Sequence, residues 1–271
     1  MTKDTFVEID SGADTLLPLF DNHGRRIPPA LSSPVNQVSR RYFRIEQPEL
    51  DSALVFERIS RYLGPPVSLT PEEFEERVQA IRNRLTGVRV LASMVAGVCV
   101  PFFLPAARHA DIGEALDNHY LPAVGSSFSD AYPQFSFTNH NPWPLTGKLE
   151  VQAGSRHDEL TGAMQNADVV GCYFPCLTEF SVPAALEQMV QLPRGLLLSG
   201  GYDTCAALVG SPSLLKRSSG YPNMLWLAAL RAEEENVGYY FEAYGQNLTF
   251  NRRAHFGQVS EYWASGISVI G

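Results

Sequence analysis

Residues 169–210 of the chain read VVGCYFPCLTEFSVPAALEQMVQLPRGLLLSGGYDTCAALVG. This stretch begins with an apolar run that predicts a strand at 169–174 and continues with a helix that Ser181 caps. A second buried run at 196–198 then leads into another helix at 202–209. Such alternation is typical of α/β units, whereas the strand-like runs after residue 224 indicate antiparallel pairing. The sequence therefore predicts a mixed α/β or α+β fold: a central sheet with flanking helices and a strand-rich C-terminal third.

The N-terminal part of the chain predicts a different organisation. Residues 1–47 have little periodicity and contain four prolines, so we expect an extended arm whose apolar side chains cover a surface of this chain or of a neighbour. Residues 48–271 are predicted to form a single globular body. Within it, residues 48–87 predict two packed helices, the second of which begins at Thr70 in a capping box with Glu73.

Composition and charge exclude several classes of protein. Hydrophobic residues make up 45% of the 271 positions, which is typical of a soluble folded chain rather than a disordered one. The formal net charge of −8 excludes the positive field that non-specific nucleic-acid binding needs. The first ten residues have no apolar run of the secretory kind, so the prediction is a cytoplasmic protein with free thiols, and secretion without a leader is the alternative.

One apolar run has the length of a membrane span. Residues 90–107 carry no charge, but Pro101 and Pro105 interrupt the run. The sequence predicts a buried strand from Met94 to Val100 followed by a proline-interrupted loop, and no membrane span.

No familiar catalytic signature is present. The chain has no P-loop, no dinucleotide-binding glycine fingerprint, no HExxH zinc motif and no GxSxG nucleophile elbow. Whether the protein is an enzyme therefore stays open, and no cofactor is predicted.

The candidate catalytic residues are one acid–base pair and three thiols. His157 is followed by Asp158, and a histidine that an acid orients acts as a general base. Cys172, Cys176 and Cys205 are the candidate nucleophiles. The structural alternatives are a helix cap for Asp158 and core packing for the cysteines. Because Cys172 and Cys176 lack a second ligand pair at zinc spacing, no metal site is predicted.

Two regions are candidates for ligand binding. Ser199, Gly200 and Gly201 lie between a predicted strand and a helix, where exposed N–H groups favour an anion; the alternative is an ordinary tight turn. The C-terminal third adds three side chains that could line a pocket or an interface, or could be ordinary strand residues: Tyr240, Asn251 and Arg252.

The remaining candidate region is aromatic. A short helix is predicted at 111–120, with Pro122 ending it, and residues 125–148 are then predicted to form a long loop rich in aromatic side chains. We therefore expect a non-enzymatic interaction or assembly protein in a homo-oligomer or multi-subunit complex, associating through the arm and the 125–148 loop. The alternative is an enzyme or small-ligand-binding protein with an anion site at Ser199–Gly201 and a His/Cys site.

Overall fold

The computed structural model describes residues 17–40, 44–217 and 223–271, and a mixed β-sheet lies at its centre. Eight described strands form the sheet. Seven of them follow one another in the order β1 (Val100–Leu104), β4 (Val169–Thr178), β10 (Trp263–Ile270), β6 (Met224–Trp226), β8 (Val237–Tyr244), β9 (Asn247–Ala254) and β2 (Phe137–Asn139). The eighth strand, β5 (Leu197–Leu198), pairs with β10, and a separate ribbon joins β3 (Leu149–Val151) to β7 (Leu230–Ala232).

Helices cover this sheet, as the predicted mixed fold requires. The described helices are α1 (Ser52–Tyr62), α2 (Pro71–Gly87), α3 (Ile112–Ala115), α4 (Leu121–Ala131), α5 (His157–Met164), α6 (Val182–Glu187) and α7 (Gly201–Gly210). Phe56 of α1 and Phe74 of α2 pack on Phe103 of β1, with ring centroids 5.0 and 5.9 Å away. The C-terminal third is strand-rich, with β8 and β9 in an antiparallel hairpin. The predicted fold class is confirmed.

The two predicted N-terminal helices are present, and the capping box begins the second. Thr70 Oγ1 accepts a hydrogen bond from Glu73 N–H (3.2 Å), and Thr70 N–H donates to Glu73 Oε2 (3.0 Å). The apolar positions at helical spacing form the buried face of α2: Phe74, Val78, Ile81 and Leu85.

The described parts of the N-terminal arm, residues 17–40 and 44–47, lie on the body of their own chain. Phe20 is buried, and Val35 forms a bridge with Phe180. Arg25 Nε donates to the Thr178 carbonyl (3.1 Å), and Arg26 N–H donates to a β4 carbonyl. Burial lowers the pKa of Arg26 to about 10. Residues 1–16 and 41–43 of the predicted arm lie outside the described residues.

The strand predicted from Met94 to Val100 is wrong. Residues Ala92–Ala96 form a 3-10 turn, and β1 begins only at Val100. Pro101 lies inside β1 because β1 is an edge strand, where a missing N–H does not interrupt a ladder. Within the described parts of the chain, no helix is long and apolar enough to cross a membrane.

The predicted helix end at Pro122 is also wrong. A π-helical turn, Leu116–Tyr120, leads directly into α4, so Pro122 lies inside a continuous helical run. The π turn directly before Pro122 is a local irregularity of the kind that accompanies a proline within a helix. Residues 125–131 of the predicted loop are therefore helical, and residues 137–139 form β2.

Candidate functional site

The turn that precedes α7, proposed from sequence as an anion site, is buried. Ser199, Gly200 and Gly201 are all buried. Ser199 N–H donates to the Gly266 carbonyl (2.9 Å), and Gly200 N–H donates to Asp203 Oδ1 (2.9 Å). The Asp203 carboxylate therefore already takes an N–H group that an external anion would use at this helix N-terminus.

A chain of buried oxygen atoms continues from that carboxylate to β10. Ser268 Oγ donates to Asp203 Oδ2 (2.6 Å) and lies 3.0 Å from Ser199 Oγ. Thr204 N–H donates to Asp203 Oδ1 (3.0 Å). All four residues are 0% exposed. Since a buried carboxylate is stable only with such donors, this network fixes the start of α7 to the sheet.

His157, the proposed general base, packs against the same turn. Its side chain is 1% exposed, and a Cβ built on Gly200 would lie only 2.5 Å from His157 Nε2. Neither ring nitrogen has a hydrogen-bond partner among the described residues. Asp158 is exposed to solvent and does not hydrogen-bond to the ring. The structure thus brings His157 to Gly200, but it does not pair His157 with Asp158.

Arg156 sets the position of His157. Arg156 has a left-handed backbone conformation with φ of 63°. Its guanidinium donates at 2.7–3.2 Å to four carbonyl groups in the segment before β5: those of Met189, Leu192, Pro193 and Leu196. Because the guanidinium is a rigid fork of donors, these bonds hold the first turn of α5 against the segment that leads to Gly200.

An aromatic cluster that sequence reasoning did not assemble lies beside this centre. Tyr202 stacks on Tyr120 with ring centroids 4.6 Å apart, and His109 lies 5.3 Å from the Tyr202 ring. Burial and the neighbouring His119 lower the pKa of His109. Because these side chains come from separate parts of the chain, no local sequence spacing indicates that they lie together. The described residues contain no group of three or more His, Cys, Asp or Glu side chains that could hold a metal ion.

The three candidate cysteines are buried thiols. Burial and the nearby Asp203 raise the pKa of Cys205, and burial raises the pKa of Cys176 to about 12. A hydrogen bond with the Cys99 thiol, together with burial, raises the pKa of Cys172. Because the thiolate is the nucleophilic form, these surroundings favour the unreactive thiol at neutral pH.

The three candidates on β8 and β9 have partners elsewhere. Tyr240 packs on Trp226 with ring centroids 4.9 Å apart, and Asn251 Oδ1 lies 2.8 Å from His140 Nδ1. Arg252 forms an ion pair with Glu234. No hydrogen bond or ring contact among the described residues joins them to the turn before α7.

An open groove, here called the acidic groove, lies between α6 and the β3–β7 ribbon. It has a volume of about 740 Å³ and is formed by segments 147–152, 182–187 and 228–237 together with His255. Five carboxylates border it: Glu150, Glu187, Glu233, Glu234 and Glu235. The run at 233–235 is the only local signal of this groove in the sequence.

The outer edge of β2 is the second accessible feature. Leu248 N–H donates to the Ser136 carbonyl (3.0 Å), and His140 N–H donates to the Phe250 carbonyl (2.9 Å). Because backbone groups alternate along a strand, the N–H and C=O groups of Phe137 and Asn139 point away from β9. They form no hydrogen bond with the described residues.

The chain matches no protein-family model, no curated protein and no solved structure in the three comparisons made. The function of the chain is therefore inferred from its geometry. The polar centre around Asp203 is closed, and its carboxylate is satisfied internally, although His157, Thr204 Oγ1 and the Tyr202 hydroxyl have no hydrogen-bond partner among the described residues. The carboxylates of the acidic groove and the outward-facing backbone groups of β2, in contrast, are open to solvent.

Proposed function

We propose that this chain is an assembly protein that pairs with a second copy of itself through strand β2. The observation that carries the proposal is the unpaired outer edge of β2, at one end of the eight-stranded sheet. Such an edge is a template for another strand unless charge, proline or a covering element blocks it. Among the described residues, no strand pairs with this edge, and α4 contacts β2 through Gly125 and the Phe137 ring.

A dimer with its two-fold axis at Thr138 gives the outward-facing backbone groups of β2 hydrogen-bond partners. In an antiparallel pair of β2 strands, Phe137 of one copy lies opposite Asn139 of the other, and each of the two such pairs exchanges two backbone hydrogen bonds. Thr138 then lies opposite its counterpart in a closely spaced pair without backbone hydrogen bonds, and Thr–Thr pairs stabilise such positions.

Charge favours a second copy over a charged partner. Residues 131–147 contain no Asp, Glu, Lys or Arg, although the chain has a net charge of −8. Two copies therefore meet at β2 without the like-charge repulsion that most of this acidic surface would cause. Aromatic side chains flank the edge: Trp143 is 70% exposed and Tyr244, at the β8–β9 turn, is 75% exposed. Exposed aromatic residues and depleted charge are typical of interface centres.

Thr138→Lys tests this proposal. Thr138 is exposed, so the lysine leaves the fold intact but places two positive charges opposite each other at the two-fold axis. We expect the dimer dissociation constant to rise at least about five-fold, measured by sedimentation equilibrium. The matched control is Thr86→Lys, on the exposed last turn of α2, which leaves the constant unchanged.

Either of two results would overturn the proposal. One is a wild-type protein that stays monomeric at all accessible concentrations. The other is a dimer that the Thr138 and Thr86 variants leave equally stable.

A second candidate function is binding of a small anion near α7. The observation that favours it is His157, which is buried with neither ring nitrogen partnered. Asp203 opposes it, since its carboxylate already accepts from Gly200 N–H. Titration with inorganic phosphate, followed through the His157 ring resonances, tests this candidate: saturable shifts support it and unchanged resonances contradict it.

A further inference from the structure

The acidic groove is a second surface, independent of β2, and we infer that it binds a short extended peptide segment in which basic and aliphatic side chains alternate. Its volume of about 740 Å³ lies within the range of roughly 300–1,000 Å³ typical of ligand sites. Three independent properties of the groove point to this class of ligand: its charge, its apolar wall and a free hydrogen-bond donor.

The charge of the groove favours a cation. Two cationic side chains, Lys148 and Arg231, oppose its five carboxylates. Arg231 is already paired with Glu150, as Arg252 is with Glu234. Glu233 and Glu235 are exposed and have no ion pair with any described residue. Lysine or arginine side chains of a ligand would supply the missing partners for these two carboxylates.

The wall of the groove favours aliphatic side chains. Val182, Pro183 and Leu186 of α6 line one side, and Leu230 and Ala232 of β7 line the other. Since side chains alternate along an extended strand, a segment with a basic residue at every second position directs its other side chains to this wall.

His255 favours a peptide over other cationic ligands of the groove. The residue is 7% exposed and lines the groove. Its Nδ1 accepts a hydrogen bond from Gly257 N–H (3.0 Å), so Nε2 carries the proton in the neutral ring. Burial lowers the pKa of His255, which favours that neutral form. Nε2 has no partner among the described residues, yet it is not among the atoms sealed from solvent.

A free N–H donor in the groove is available to an acceptor from a ligand. A peptide carbonyl is such an acceptor, whereas a protonated polyamine has none. An anionic acceptor would meet the surrounding carboxylates and be repelled. The basic peptide is therefore the class that satisfies the glutamates, the aliphatic wall and His255 together.

The probe is the fluorescently labelled hexapeptide acetyl-Lys-Val-Lys-Val-Lys-Val-amide, titrated with the full chain at an ionic strength of about 0.05 M. We expect saturable binding, and the double variant Glu233→Gln, Glu235→Gln raises the dissociation constant about five-fold, or about 1 kcal/mol. The matched control, Glu75→Gln with Glu76→Gln on the exposed face of α2, changes the net charge equally and leaves binding unchanged.

Two comparison ligands complete the test. Spermidine and the acidic peptide with Glu in place of Lys are expected to bind at least about ten-fold more weakly than the probe. The inference is overturned if the probe shows no saturation up to about 1 mM, if the groove and control variants behave alike, or if either comparison ligand binds as tightly. Probe binding by the Thr138→Lys variant keeps this result separate from the assembly proposal.

Discussion

Gly200 is a tightly packed residue of the closed polar centre. Its φ of −117° lies outside the left-handed region that favours glycine, and the space that a side chain would need beside its Cα is occupied. The space is taken by the His157 ring, three atoms of which would lie 2.5–2.9 Å from a Cβ at position 200.

Gly200→Ala should therefore destabilise the protein. The added methyl group overpacks a site bounded by a buried ring, which costs about 1–3 kcal/mol of unfolding free energy in a urea titration. The matched control is Gly162→Ala in α5, where an added Cβ meets nothing within 4 Å; it should stabilise the helix by about 0.5–1 kcal/mol. Equal effects of the two substitutions would contradict the packing described for His157.

The Glu187 carboxylate gives the stability of the arm a defined pH dependence. Backbone N–H groups of Ser32 and Ser33 donate to it at 2.6 and 2.9 Å, and hydrogen bonds from these two serines lower its pKa from 4.5 to about 2. A depressed carboxylate pKa stabilises the fold above the unfolded value. That stabilisation is lost as the pH falls from about 4.5 towards about 2.

Glu187→Gln should consequently cost stability at pH 7 and cost progressively less as the pH approaches 3. The measurement is the difference in urea midpoint between wild type and variant at the two pH values. A difference that does not change with pH would show that the carboxylate charge does not anchor Ser32 and Ser33.

The sequence indicated individual residues of the polar centre but not which of them contact each other. It singled out both His157 and Gly200, and the structure places them in contact. It could not pair them, because the contact depends on Arg156 and on how β5 enters the sheet. Asp203 was missed, although an acid three residues after the glycine is the spacing of a capping interaction.

Helices and strands are predicted correctly from the sequence where residues within the segment itself determine its start and its buried face. The helix over 71–87 follows from Thr70, Glu73 and an apolar stripe, all within one segment. The strand over 169–174 is confirmed but continues through Pro175 to Thr178. Pro175 is tolerated because β1 pairs only as far as Tyr173, and the ladder with β10 is irregular between Ser265 and Ile267.

Thr70→Ala tests the element for which local signals are strongest. Removing the Thr70 hydroxyl leaves the Glu73 N–H without its cap, which should cost about 1 kcal/mol of unfolding free energy. Since Thr70 and Glu73 are exposed, no cavity contributes to the change. An unchanged urea midpoint would mean that the cap does not stabilise α2.

At the scale of the whole molecule, the two accessible surfaces have different sequence signals. The aromatic, charge-free segment 131–147 was visible in the sequence, but its role as a sheet edge depends on β9 receiving β2 in parallel. The acidic groove joins segments from three parts of the chain, so only the glutamate run at 233–235 could have indicated it. Both surfaces exist only once the sheet and its helices are assembled.

Amide hydrogen exchange at single-residue resolution shows whether β2 pairs with β2 of a second copy. The amides of Phe137 and Asn139 point away from β9, so only a second copy protects them. Raising the protein concentration should slow their exchange while that of Thr138 and His140, which face β9, changes little. Exchange of Phe137 and Asn139 at unprotected rates in a protein shown to be dimeric would contradict the account.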